Sequence, residues 1–447
     1  MPRGGKQAPG PKWYQAPAVL RSLRRDPLKF HHKMHERYGD VVRLSFGFSS
    51  AYLLRRPEHA KHVLQDNHTN YDKQNFDYRI LKPIVGEGLL TSNGDHWRGQ
   101  RKLIQPAFQR ERITALVPLI VERSEALLAR WKTQPETARD VSRDMSRLTL
   151  EIVTEALFGV DAGESAAEIG EAFLILSRNV MDQYGSLPAM LTFLPTPGNL
   201  RAKRARKRLH AIVDTLIAER RRRRPGDDLL SAMLAARDDE SGQPMSETQL
   251  RDEVTTLLLA GHDTTANALS WTFYLLSQHG EIADRLESEI DQVLDGKAVA
   301  ADAIPALNYG RAVLQESMRL YPPAWIISRA TIEADEVGGY MVEKRALVAV
   351  CTYDTHRLAD IWPEPKKFDP DRFINNHVGP VPFAYYPFGA GPRMCIGAGL
   401  ATTEAIVILA TIMQKCRLQL VPGQTIEPEA LITLRPRNGL KMTVDWR

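Results

Sequence analysis

Cysteine is scarce in this chain: there are three in 447 residues, Cys351, Cys395 and Cys416. They lie far apart and form no CxxC pair, which argues against a disulfide framework and against a thiolate-based structural zinc site. Long apolar runs are also missing. No stretch reaches the ~18 consecutive apolar residues of a membrane span. The opening "MPRGGKQAPGPKWYQAPAVL" has no apolar core of signal-peptide length. These absences lead to the expectation of a cytoplasmic protein with no membrane anchor. No internal repeat and no nucleic-acid-binding motif is found.

What is present is an ordinary globular composition, 43% hydrophobic and 25% charged, so a chain this long can bury a large core. The net charge is +5, a mild excess that suits an acidic protein partner or an anionic surface. No clean linker divides the chain. The expectation is one unit over residues 1–447, with a Pro/Gly-rich lead-in at 1–20.

The pattern is α+β and mainly helical. "YGDVVRLSF" and "AYLLRR" read as paired short strands across Gly47, Ser49 and Ser50, and "RALVAVCTY" as a later strand. Ile113, Leu116, Val117, Ile120, Leu127, Leu128 and Trp131 recur at helical spacing, and Val141, Met145, Leu148, Ile152 and Ala156 mark a second helix. "SLPAMLTFLPTPGN" reads as a loop between helices. The basic run from Arg201 to Arg224 carries its own apolar stripe, Leu209, Ile212, Val213, Leu216 and Ile217. It is therefore read as a solvated helix face, with nucleic-acid binding as the sharper alternative. Ser246-x-x-Gln249 opens a helix of roughly 30 residues, about 45 Å long, with Gly280 expected as its C-cap. "YGRAVLQESMRLYPP" is a helix stopped by Pro322 and Pro323. "IGAGLATTEAIVILATIMQKC" is a buried one.

The stretch "FGAGPRMCIG" places Cys395 at the mouth of that last helix. Gly389 and Gly391 permit left-handed backbone, and Pro392 stiffens the approach. Free N–H groups at a helix start favour a thiolate. Gly397 removes a side chain where a flat ligand could lie, and Arg393 could pair with a carboxylate on it. A buried structural cysteine is the blander reading. It suits Cys351 and Cys416, but leaves the glycines, proline and arginine around Cys395 unexplained.

The stretch matches F-x-x-G-x-R-x-C-x-G and resembles the heme-binding loop of the cytochrome P450 family. The resemblance implies that family's fold, with a long central helix over the heme and a small β-rich lobe. It implies Cys395 as the axial ligand of heme b (iron protoporphyrin IX), Arg393 as a propionate partner and Phe388 as a ring beside the heme.

Other motifs follow in the family's order. "AGHDTT" lies midway along the long helix, where Gly261 costs about 1 kcal/mol relative to alanine. A small residue there makes sense if something approaches the backbone closely, and Thr264 could bond the Ala260 carbonyl. The motif is similar to A-G-x-D-T-T, which implies that Asp263 and Thr264 deliver protons during oxygen activation. His262 occupies the open position of that pattern and is not read as a ligand. Glu316 and Arg319 match E-x-x-R. With Arg372 of "PDRF" they are implied to form a buried network that locks the cysteine loop, although Asp371 stands where glutamate is common. Trp97 and Arg101 match W-x-x-x-R, a propionate-binding pair; Arg329 is a third propionate residue, with Lys82 as a further candidate.

The implied activity is monooxygenation of a hydrophobic substrate such as a fatty acid or terpenoid. Pocket segments would map near Phe76–Leu90, Phe173–Pro195, Leu257–Thr264, Ala324–Ile327 and Ile432–Leu434. The chain ends at Arg447 with no flavin or iron–sulfur module after the loop. Electrons are therefore expected to come from NAD(P)H through a separate ferredoxin or flavodoxin-like donor and its reductase, docked near Arg98 and Lys102 on a monomer. A peroxide-driven peroxygenase and a non-catalytic heme sensor are the alternatives. The acid–alcohol pair argues against both.

Overall fold

The computed structural model describes residues 6–46, 49–133, 138–161, 163, 165–184, 195–224, 226–237, 243–376 and 381–447. The expected strand pair forms as β1 (Val41–Ser45) and β2 (Ser50–Leu54), antiparallel with Val41 opposite Leu54. Gly47, in the expected turn, lies outside the described residues. With β3 (Tyr71–Asp72), β4 (Ile327–Thr331) and β5 (Leu347–Val350) they make a five-stranded sheet in the order β1-β2-β5-β4-β3. β5 runs parallel to β2 and antiparallel to β4. β6 (Pro428–Ala430) and β7 (Leu434–Pro436) form a separate hairpin whose turn carries Ile432 and Thr433.

The lead-in is more structured than its composition suggests. Arg43 N–H donates to the Pro9 carbonyl, Met341 N–H donates to Lys6, and residues Ala16–Arg25 are helical. Pro at the start of that helix removes a donor that would have no partner anyway.

The helices that shape the site are α1 (Phe76–Val85), α2 (Gly94–Ile104), α3 (Val141–Phe158), α4 (Ser165–Gln183), α5 (Pro197–Arg222), α6 (Glu247–Gln278), α7 (Asn308–Leu320) and α8 (Ala398–Lys415). The stripe from Ile113 to Trp131 is split at Leu116 into Arg110–Ala115 and Val117–Thr133. "SLPAMLTFLP" falls mostly outside the described residues. α5 buries Leu209, Val213, Leu216 and Ile217, while Ile212 is half-buried. Its basic face is partly spent on ion pairs, Arg208 with Glu168 and Arg221 with Glu247. That is the pattern of a solvated face. No helix among the described residues is long and apolar enough to cross a membrane.

α6 is the spine. Its 32 residues span about 48 Å. Ser246 Oγ accepts the Gln249 N–H at 3.2 Å, which satisfies one of the unpaired donors at the helix start. Gly280 is not the C-cap; His279 is, and Gly280 begins the next helix. α6 is buried nearly all round because α3 packs along it. A Cβ on Gly261 would sit 2.6 Å from Val153 Cγ2 of α3. The neighbouring helix thus makes a close approach that calls for glycine, and Gly261 also lines the cavity. Cys416 caps the end of α8, as expected, and also begins a strand, Cys416–Leu420.

Candidate active site

Between α6, the cysteine loop and the sheet lies a cavity of about 2180 Å³. Ligand pockets are usually about 300–1,000 Å³, so there is room for a large group and a second molecule beside it. Cys395, Gly397, Phe388, Arg393, Trp97, Arg101, Arg329 and Thr264 all line it.

The cysteine loop is held by its own backbone. Gly389 and Gly391 have φ of +69° and +67°, where a side chain is strained. Gly391 also lies against another segment, since a Cβ there would be 1.9 Å from the Leu64 carbonyl oxygen. Cys395 N–H donates to the Phe388 carbonyl at 2.9 Å, closing the loop before Gly397 caps α8. The Cys395 side chain opens into the cavity. Its desolvated setting pushes the thiol up, opposed by the Gly397 backbone N–H and by Arg101. Gly397 itself has an ordinary φ of −87°. A Cβ on it would meet nothing closer than Phe108 at 3.6 Å and the Cys395 sulfur at 4.0 Å. Neither backbone nor packing demands glycine there; it leaves a slot beside the sulfur.

Cations gather on the same wall. Arg393 stacks on Trp97, 3.8 Å from the ring centroid, and donates to the Ser92 carbonyl at 3.0 Å. Arg329 donates to its neighbour's carbonyl at 2.8 Å and lies 3.4 Å from the Tyr78 hydroxyl. Arg101 donates to the Met394 carbonyl at 2.9 Å. Lys73, absent from the sequence reading, is buried among them with its ammonium 2.5 Å from the Leu90 carbonyl. Among the described residues, no carboxylate forms an ion pair with Lys73, Arg329 or Arg393. Burial, then mutual repulsion, drives the Lys73 pKa far down and pulls Arg393 to about 10. Buried charge of one sign needs a counter-charge, and a ligand bearing carboxylates would supply it. Lys82 takes no part in this, since it pairs with Glu87 at 2.5 Å. No motif signals Lys73, because a buried lysine is visible only once the chain is folded.

On α6, Thr264 Oγ1 donates to the Ala260 carbonyl at 2.7 Å, as its spacing suggests, and faces the cavity. Asp263 does not line it. Successive helix residues point about 100° apart. The Asp263 carboxylate is buried, accepting from Asn267 Nδ2 at 3.1 Å and from the Thr433 hydroxyl. Thr433 does line the cavity, so Asp263 meets it at one remove. Thr433 belongs to the expected pocket segment Ile432–Leu434, but its bond to Asp263, like that of Asn267, has no signal in the sequence because Thr433 lies far along the chain on the hairpin turn. His262 is a buried side chain with Nδ1 against the Leu258 carbonyl at 2.9 Å.

Glu316 and Arg319 on α7 are fully buried and joined by two bonds of 2.7 Å. Arg319 also donates to the carbonyls of His356, Pro365 and Lys367, and Arg372 Nε lies 3.5 Å from Glu316. His356 Nε2 in turn accepts the Tyr386 N–H at 3.0 Å, two residues before Phe388. The network therefore reaches the base of the cysteine loop.

A sequence model described as Cytochrome P450 matches residues 7–443. The chain belongs to the cytochrome P450 family. It is 36% identical over 408 residues to cyclooctat-9-en-7-ol 5-monooxygenase of Streptomyces melanosporofaciens, covering 91% of this chain and 88% of that one. It is 34% identical to pentalenene oxygenase of Streptomyces avermitilis, covering 95% and 94%. P450 membership implies a heme held by a cysteine thiolate. The residues fit such a group on three counts: a cysteine open to the cavity, an unfilled slot at Gly397, and a buried cation set lacking carboxylates. Trp97, Arg101, Arg329, Arg393 and Lys73 could hold it, with Cys395 as ligand. All five P450 pocket segments reach the cavity wall within the described residues; 185–194 of the second lie outside them.

Proposed function

We propose that the chain is a heme-thiolate monooxygenase that inserts one atom of O2 into a terpenoid-sized hydrophobic substrate. The observation that carries this reading is one cavity shared by the Cys395 sulfur and the Thr264 hydroxyl, with an otherwise largely apolar wall. Bound heme would supply the electron-transfer and oxygen chemistry. Cys395 Sγ would hold the iron, and Arg329, Arg393 and Lys73 would neutralise the propionates. Leu257, Phe173, Trp325 and Ile326 would exclude water and orient the substrate. Thr264 Oγ1 donates its hydrogen bond to the Ala260 carbonyl, which leaves its oxygen lone pairs facing the cavity to accept one; on rotating, the hydroxyl would pass its proton into the cavity as it takes one from a water there. Proton exchange between the cavity and Asp263 would run through the Thr433 hydroxyl.

The relatives' names support the substrate class, one naming a terpenoid alcohol and the other a terpene hydrocarbon. Electrons would come from NAD(P)H through a ferredoxin or flavodoxin-like protein and its reductase, the enzyme acting as a cytoplasmic monomer. The test is the ferrous–carbon monoxide spectrum, followed by turnover under isotopically labelled dioxygen. The expected results are a red-shifted thiolate band, its loss in Cys395→Ser, and one labelled oxygen in the product. A folded, heme-loaded protein without that band refutes Cys395 ligation. Turnover with peroxide alone would move the reading to a peroxygenase.

A further inference from the structure

Three carboxylates line the cavity and the chemistry above uses none of them: Glu87 pairs with Lys82, Glu404 is buried on α8, and Asp77 is bonded by a hydroxyl from a distant segment. Asp77 lies in the first turn of α1, and its Oδ1 accepts the Tyr184 hydroxyl at 2.6 Å. Phe76 holds the Tyr184 ring edge-to-face at 5.3 Å, and Tyr184 follows directly on α4. The Ser328 hydroxyl of β4 helps hold the Asp77 carboxyl down against burial and is itself met by Asn75 Nδ2 at 3.4 Å. All four of these polar residues, Asp77, Tyr184, Ser328 and Asn75, line the cavity. Three chain segments distant in sequence therefore converge to build one polar spot in a largely apolar chamber.

Among the described residues, Asp77 has no ion-pair partner. Burial raises its carboxyl above the usual range, and the two hydroxyls only partly offset this. A carboxyl has about four lone-pair sites. The Tyr184 hydroxyl, even with Ser328 beside it, leaves acceptor capacity unused, and the pocket is costly to leave dry and unsatisfied. Nearby charge decides which donor fits. The same cavity wall carries Arg329, Arg393 and Lys73, so a cationic ligand entering the chamber would share it with three cations. A neutral hydroxyl would not.

We propose that Asp77, held by Tyr184 and Ser328, is a hydrogen-bonding anchor for a hydroxyl on the substrate, so that the enzyme prefers an already oxygenated terpenoid over the parent hydrocarbon. The inference rests on the terpenoid reading above and narrows it. It also places the enzyme after a hydroxylating or water-capturing cyclisation step, because such a step must supply the alcohol. A site built to hydrogen-bond a hydroxyl rejects the analogue lacking it, since its own polar groups are then left unpaired.

The probes are cedrene and its alcohol cedrol, which share a skeleton, with tetrabutylammonium as a cationic control. Affinities are read by equilibrium dialysis and by the heme spin-state shift. Cedrol should bind the wild-type holoenzyme about tenfold tighter than cedrene. Asp77→Leu should bring the ratio to about one while leaving cedrene binding and the ferrous–carbon monoxide band in place. Asp77→Ala carries the same expectation should the leucine variant fail to fold. An unchanged ratio in both variants overturns the proposal. So does a wild type that binds neither terpenoid, or one that prefers tetrabutylammonium to cedrol. Dialysis reads the ratio whatever the axial ligand is, so a missing thiolate band sinks the monooxygenase reading without touching this one.

Discussion

Two groups of buried charge in this protein are built in opposite ways. Around Glu316 and Arg319, every charge has its counterpart: a two-bond ion pair, three backbone carbonyls for the guanidinium, and the Asp369 N–H for the carboxylate. Around Lys73, Arg329 and Arg393, three cations meet one another and backbone carbonyls. The first group is complete within the chain, so its work is structural. The second is complete only when something anionic is added, so its work is binding. Buried charge by itself says little; whether its balance closes inside the protein separates a scaffold from a site.

The sharpest way to break this comparison is Arg319→Ala. Removing one partner of a buried pair should cost about 3–5 kcal/mol, because Glu316 loses its two-bond partner and keeps only Arg372 at 3.5 Å and the Asp369 N–H. The apoprotein should lose that stability in urea titration, with heme loading failing as a consequence. An apoprotein of unchanged stability would mean the Glu316 network is not the lock it is taken to be.

A third buried charge lies between the two cases. Glu253 on α6 is fully buried and accepts only the Leu89 N–H at 2.9 Å, and burial pushes its carboxyl up to about 7. Between pH ~4.5 and ~7 the folded state keeps a proton that the unfolded chain releases, so stability falls as pH rises through that window. Glu253→Gln should flatten this fall by about 3 kcal/mol relative to wild type, measured by unfolding at several pH values. A variant that tracks the wild-type pH profile would show that Glu253 is ionised at little cost.

The incomplete group makes the reverse prediction. Lys73→Met and Arg393→Ala should leave the apoprotein as stable as wild type or slightly more so, since repulsion is relieved. Heme should leave each variant about tenfold faster, a difference of ~1.4 kcal/mol, read by transfer to a scavenging apoglobin. If either variant instead destabilises the apoprotein as Arg319→Ala does, the two groups are alike. The smallest effect is expected at the surface. Arg98 is exposed and bonded to Asp95 within α2. Reversing the charge of Arg98 and Lys102 should move stability by less than about 0.5 kcal/mol. Reduction by an acidic donor should nonetheless slow and lose its salt dependence. Unchanged reduction kinetics would remove this face from the docking proposal.

Legibility followed distance along the chain. The bond from Thr264 to Ala260 spans four residues, and the ion pair of Glu316 with Arg319 spans three. Helical geometry alone predicts both. The strained glycines at 389 and 391 were readable because the turn needs them locally. Gly261 signals a close approach that the structure shows, but a glycine within a helix does not say what comes close, and here Val153 does. Lys73 is not legible, because burial has no signature in a single lysine.

The sequence by itself determined the cysteine loop, the long helix and the order of motifs, because each is written in neighbours a few residues apart. Only the tertiary structure decided which cations lose their solvent, that Asp263 meets the cavity through Thr433, and that Asp77 meets Tyr184 across 107 positions. Desolvation and pairing between distant segments are properties of the packed chain, and no local pattern encodes them.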